Sequence, residues 1–128
     1  MPCLIFFSRK DKTLYSYSIN GRLLETIQED SSHVMSPIII KDLNFIEILI
    51  YGNEKGEIYF RELPFLNIRR KLDVSVNSPV LSILLSKDRK YLFCGCGDGE
   101  FSVLTDPNFT TLSQVRIDEI GRASSDLQ

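Results

Sequence analysis

Val80 to Asp106 reads VLSILLSKDRKYLFCGCGDGEFSVLTD, and this stretch decides the fold. Val80 to Leu85 is an apolar run closed by Ser86, Lys87 to Lys90 is a polar turn, and Tyr91 to Cys96 is a second apolar run. Asp98-Gly99 makes a second turn, and Phe101, Val103 and Leu104 begin a third run. An Asp-Gly pair between two apolar runs predicts a type I′ hairpin, whose two central residues both need positive φ. Glycine adopts that conformation without steric cost, and Asp tolerates it. The stretch therefore predicts a three-stranded antiparallel meander.

The pattern recurs upstream. Gly95-x-x-x-Gly99 repeats Gly52-x-x-x-Gly56 at a spacing of 43 residues, and the apolar pair Leu92-Phe93 repeats Leu49-Ile50. Beyond the second glycine, Glu100-Phe101-x-Val103 aligns with Glu57-Ile58-x-Phe60, and Pro79-Val80 opens its unit as Pro37-Ile38 opens the other, 42 residues earlier. A self-similar period of roughly 40–45 residues with four strands per unit is the mark of a β-propeller blade. The predicted turn residues are Asn20, Gly21, Gly52, Gly56, Gly95, Asp98 and Gly99.

In chain order, Cys3 to Ser8 predicts a strand, Arg9 to Lys12 a charged turn, and Leu14 to Ile19 an aromatic-rich strand suited to a half-buried sheet. Asn20-Gly21 is a second type I′ signal, after which Leu23 to Ile27 returns antiparallel. These three strands read as the second, third and fourth of a blade whose first is missing. Gln28 to Ser36 is a polar connector carrying the single histidine, His33. Strands are then expected from Ile38, over Phe45 to Tyr51, over Glu57 to Leu63 and over Asn67 to Leu72, with Pro64, which cannot donate to a ladder, at a corner. Asp106-Pro107-Asn108 ends the third strand of the last unit, and Leu112 to Ile117 supplies its fourth. The expected organisation is all-β: a partial blade over 1–30, complete blades over 37–73 and 79–117, and a small, polar, disordered tail over 118–128. Propellers close with typically four or more blades, so this is read as a propeller fragment whose end blades expose apolar flanks.

The 128 residues are 43% hydrophobic and 25% charged, the balance of a globular domain and not of a disordered chain. A net charge of −2 and a pI near 5.4 give no global field that favours nucleic acid or anionic membrane. No apolar run approaches the roughly 18 residues of a membrane span, and Met1 to Phe7 lacks the basic leader of a signal peptide. Three cysteines without framework spacing fit a reducing compartment, so a cytoplasmic location is expected.

Ser86-Lys-Asp-Arg-Lys-Tyr-Leu92 and Gly95-x-x-Asp98-Gly99 resemble the WD-repeat family, whose consensus has a polar turn and an Asp-Gly turn at these points. Leu14 to Leu24, Gly52 to Leu66 and Lys90 to Gly99 are similar, more narrowly, to the C-terminal propeller of neurobeachin-type BEACH proteins. Those proteins are large scaffolds of vesicle trafficking and membrane-protein sorting, with a BEACH domain ahead of the propeller. The resemblance covers residues 3 to about 117 and none of the BEACH domain. It implies a non-catalytic protein–protein interaction platform. Its partners would be other proteins, together with upstream blades and a BEACH domain of a longer chain, with no nucleic acid, no cofactor and only indirect, peripheral contact with endomembranes. A WD-repeat adaptor of ubiquitin ligation or RNA processing is the alternative. The sequence departs from the WD pattern in its dipeptide positions, occupied by Tyr17-Ser18, Arg61-Glu62 and Leu104-Thr105. His33 follows Ser32 where the family has Gly-His, and Asp98 holds the family's Asp position.

Other chemistry reads weakly. Cys94 and Cys96, two apart on a strand, share a face, but no second Cys or His cluster follows at zinc spacing, so core packing is expected. His33 has no nucleophile identifiable nearby. Arg69-Arg70-Lys71 and Lys87 to Lys90 read as a solvated rim. Asn108-Phe-Thr110 is a glycosylation sequon without a secretory context, and Gly95-x-Gly97-x-Gly99 opens no helix, so it is not a dinucleotide fingerprint. A hydrolytic or redox propeller would instead bring His and acidic residues together at a blade centre.

Overall fold

A computed structural model describes residues 2–30, 33–42, 44–75, 78–105 and 110–116. Among these, every regular element is a strand: β1 (Cys3–Ser8), β2 (Thr13–Ser18), β3 (Leu23–Gln28), β4 (Met35–Lys41), β5 (Glu47–Gly52), β6 (Glu57–Glu62), β7 (Asn67–Asp73), β8 (Val80–Leu85), β9 (Tyr91–Cys96), β10 (Glu100–Thr105) and β11 (Thr110–Arg116). They form three antiparallel meanders, β1-β2-β3, β4-β5-β6-β7 and β8-β9-β10-β11. The chain is thus one three-stranded and two complete four-stranded blades. The expected turn at Asp106-Pro107-Asn108, the end of the last strand at Ile117 and the tail over 118–128 lie outside the described residues.

The turns differ from the type I′ expectation. Gly21 and Gly99 have φ of 90° and 89°, but neither Asn20 nor Asp98 is among the residues with positive φ. Gly21 N–H donates to Ser18 O (2.9 Å) and Gly99 N–H to Cys96 O (3.1 Å). These are three-residue loops in which a type I turn is followed by one left-handed residue, so only the last position needs glycine. Gly56, Lys12, Phe45 and Arg89 hold the corresponding left-handed places in other hairpins, with φ of 83°, 54°, 63° and 62°. Phe45 therefore ends a turn, and β5 starts at Glu47 instead.

Gly52 and Gly95 also differ from their reading as turn residues, since both lie within strands, β5 and β9. What Gly52 supplies is close approach. A Cβ there would stand 2.5 Å from the Val80 Cβ of the next sheet, which enters with Val80 N–H bonded to Asn53 O at 3.0 Å.

The core follows from alternation on β5 and β6. Ile48, Ile50, Ile58 and Phe60 face the third sheet, where Ile83, Leu92 and Cys94 meet them. Leu49, Tyr51 and Tyr59 face the first sheet and pack with Leu14, Ile5 and Phe7. Both faces of β5 and β6 are buried, which explains their near-continuous apolar runs. Adjacent sheets come closest at β4 and β8. There the Ser36 hydroxyl accepts from Ile83 N–H (2.9 Å) and donates to Ile83 O (3.3 Å).

The three-stranded sheet corresponds to β5-β6-β7. Lys12 O, in the β1–β2 turn, accepts from Glu29 N–H just beyond β3 (2.7 Å). Gly56 O, in the β5–β6 turn, accepts in the same way from Val74 and Ser75 N–H just beyond β7 (2.9 and 3.2 Å). What this sheet lacks is its first strand.

Gly52→Ala should lower unfolding stability by about 1–3 kcal/mol through overpacking against Val80. Gly95→Ala, whose Cβ would meet only the Ser82 hydroxyl of its own sheet at 2.9 Å, should cost less; urea titration of both variants compares them.

Candidate functional site

Among the described residues a buried polar constellation lies between the first two sheets. Tyr51, on β5, donates its phenol hydrogen to Glu29 Oε1, and Arg61 Nε on β6 donates to the Tyr51 oxygen at 2.8 Å. Arg61 also donates through Nη1 to Leu66 O (2.9 Å) and through Nη2 to Glu29 Oε1 (3.4 Å). Its guanidinium lies 5.3 Å from the Tyr59 ring centroid, and Tyr59 stacks on Tyr51 at 5.5 Å. All three members are buried. Burial, reinforced by the Glu29 acceptor, pushes the Tyr51 phenol far above its usual range, so it keeps its proton. The cluster ties the segment just beyond β3 to β5 and β6, and so the first sheet to the second. Sequence reasoning passed over it. The legible signal was Arg61, a charged residue at an inward position of the alternating run Ile58-Tyr59-Phe60-Arg61.

Cys94 and Cys96 share a face, as their spacing predicts, and both are buried with free thiols. Burial raises the Cys94 thiol from an ordinary 9.0 to about 12, with Cys96 beside it adding to the shift. Burial, Asp98 and Glu100 raise Cys96 to about 11. Both are protonated and unreactive near neutral pH. No group of three or more His, Cys, Asp or Glu among the described residues could hold a metal ion.

His33 is held between two loops. Arg9 can only donate, so its Nη2 at 2.7 Å fixes Nε2 of the ring as the acceptor and leaves Nδ1–H to donate to Glu54 Oε2 at 2.9 Å. One repeat later, Ser75 Oγ donates to Asp98 Oδ2 at 3.4 Å. In both connectors a polar side chain thus reaches an acidic residue in the turn of the blade that follows. Of the basic stretch, Arg69 pairs with Asp42 (2.9 Å) and Glu62 (3.0 Å), and Lys71 with Glu57 (2.8 Å). Asp88 accepts from Ser86 Oγ at 2.6 Å and from Lys90 N–H at 3.1 Å, shaping the Lys87 to Lys90 turn. The sequon residues Asn108 and Phe109 lie outside the described residues.

The outer faces of the end sheets are a different kind of surface. On the first sheet Leu4 pairs with Tyr17 and Phe6 with Tyr15, all on the face turned from the core. Leu4 is 58% and Phe6 57% exposed, and Tyr15 stacks on Tyr17 with centroids 6.2 Å apart. On the third sheet Leu84, 65% exposed, pairs with Phe93, which stacks on Phe101 at 5.9 Å. The middle sheet buries the counterparts of these residues.

No family model matches the chain, and no curated protein matches it. Among solved structures it is similar to the dihydro-heme d1 dehydrogenase NirN in complex with DHE, a β-propeller, with a TM-score of 0.75 and 15% identity. The match covers 89% of this chain and 25% of that one, so the chain spans about a quarter of that structure's length. At this identity the likeness carries the fold alone, and the fold is that of a β-propeller segment. No helix among the described residues is long and apolar enough to cross a membrane.

Arg61→Ala should destabilise the chain by about 3–5 kcal/mol by leaving the buried Glu29 without its cationic partner, while Arg61→Met combined with Glu29→Leu and Tyr51→Phe, which removes every polar member of the cluster, should recover much of that loss in urea unfolding. Because folding raises the Cys94 and Cys96 thiols, their contribution to stability is complete below pH 9.0 and is lost as pH rises toward 12. Near neutral pH a thiol reagent should label the half-buried Cys3 faster than the buried Cys94 and Cys96 in the native chain, and all three at similar rates after unfolding.

Proposed function

We propose that the chain is a non-catalytic interaction platform, the C-terminal WD-repeat part of a BEACH-type scaffold in vesicle trafficking and membrane-protein sorting. The observation that carries the platform role is the contrast between its two kinds of surface. The side chains with chemical potential are locked into packing: Tyr51 and Arg61 hold each other, and the Cys94 and Cys96 thiols stay protonated. The outer faces of the end sheets instead carry large aromatic surface, the exposed Phe6 beside the half-buried Tyr15 at one end and the half-buried Phe93 and Phe101 beside the exposed Leu84 at the other, which suits contact with further protein.

Rigid meanders also hold short variable loops at the blade ends, which is where propellers present docking surfaces. In this reading further blades cover the two open faces, and other proteins dock on the loops. The location is cytoplasmic, with membrane contact through partners. The trafficking role itself rests on the resemblance of Leu14 to Leu24, Gly52 to Leu66 and Lys90 to Gly99, since a fold does not fix a function.

Determining the natural reading frame upstream of residue 1 tests the assignment. A frame that encodes further blades behind a BEACH domain is the expected result. A frame with neither would remove the trafficking reading.

A further inference from the structure

We propose that the free edge of β1, together with Ile39 on β4, is a strand-addition site that takes one extended apolar segment antiparallel to β1. The occupant is the strand that arrives from a preceding blade of the same polypeptide. The inference shares the propeller fold with the reading above but not its trafficking role.

The two complete sheets show what the site is built to hold. Each begins with a strand, β4 or β8, paired antiparallel to the next, β5 or β9. The latch from Lys12 O to Glu29 N–H matches the latch from Gly56 O to Val74 and Ser75 N–H, so β1 stands where β5 stands. In its sheet β1 is an edge, and an edge offers unpaired main-chain donors and acceptors to an incoming strand.

Ile39 gives the second, independent observation. It pairs with Leu49, as Leu85 pairs with Leu92 one repeat later. Leu85 is half-buried, in the core that Ile38 and Ile40 of the preceding first strand also join. Ile39 is 51% exposed, because the first strand that would cover it is the one missing. The occupant's chemistry follows: alternate aliphatic side chains to lie on Ile39, no charge among them, and an extended main chain to pair with β1. Its source follows from the connectors. The connectors after β3 and β7 lead from the last strand of one sheet directly into the first strand of the next. A segment leaving the last strand of a preceding sheet would therefore enter this site.

A fluorescein-labelled synthetic peptide with the sequence of residues 33–42, HVMSPIIIKD, is the probe, since this segment fills the equivalent place in the middle sheet. It is titrated into the 128-residue chain and followed by anisotropy. Saturable binding is expected, weakened about tenfold or more by Ile39→Asp in the protein, through loss of apolar burial. Ile39 is exposed, so circular dichroism should confirm that this variant stays folded. A peptide with proline at both positions 38 and 39 should not bind, because one of two neighbouring residues must donate its N–H to β1. Absence of saturable binding to the folded chain overturns the proposal. So does equal affinity for the Ile39→Asp protein, or for the doubly proline-substituted peptide. Dimerisation that the peptide reverses, seen by sedimentation, would assign the site to a second copy and also overturn it. None of these outcomes bears on the upstream reading frame.

Discussion

The structure depends on the burial of both faces of two central strands, β5 and β6. β5 and β6 place successive side chains on opposite sides, so Ile48 and Ile50 meet the third sheet while Leu49 and Tyr51 meet the first. Neither β5 nor β6 can move without disturbing a neighbour, because a register slip of one residue would exchange the two sets. The end sheets are held from one side only. Their inner faces carry Leu14 or Leu92, fully buried, and their outer faces carry aromatic residues that no described part of the chain covers.

Packing this close demands space for main chain as well as side chains. Gly52 admits Val80, and a Cβ at Gly56 would stand 2.3 Å from Ser75 O, where the connector leaving β7 crosses the turn. The first and second sheets therefore each clasp the segment that leaves them. The buried Glu29–Tyr51–Arg61 cluster adds a polar lock to a largely apolar interface. Removing one member of such a cluster costs far more than the cluster contributes net, so its value lies in fixing one arrangement of the sheets.

Much of this was legible in the residues. The repeated Gly-x-x-x-Gly spacing and the alternation of apolar residues gave the strands, their order and the missing first strand, because a packed meander imposes period two between turns. The conformation of the turns was not legible. Asn-Gly and Asp-Gly serve type I′ turns and type I turns with a left-handed residue equally well, and loop length decides between them. The role of Gly52 was hidden because its constraint comes from Val80, a residue 28 positions later on another sheet. Arg61 was hidden for a similar reason: its partner Glu29 lies 32 residues earlier, and no local pattern joins them. Ser75 was visible only as a connector residue, and its tie to Asp98 needed the third sheet in place.

That separation between Glu29 and Arg61 has a consequence for how the protein is made. Translation delivers the first three strands well before Tyr51 and Arg61 leave the ribosome. Until then the Glu29 carboxylate remains hydrated and Leu14 and Phe7 have no facing layer. The inner face of the first sheet is therefore covered only once β5 and β6 have emerged, and nascent chains halted before β6 would be the natural clients of chaperones.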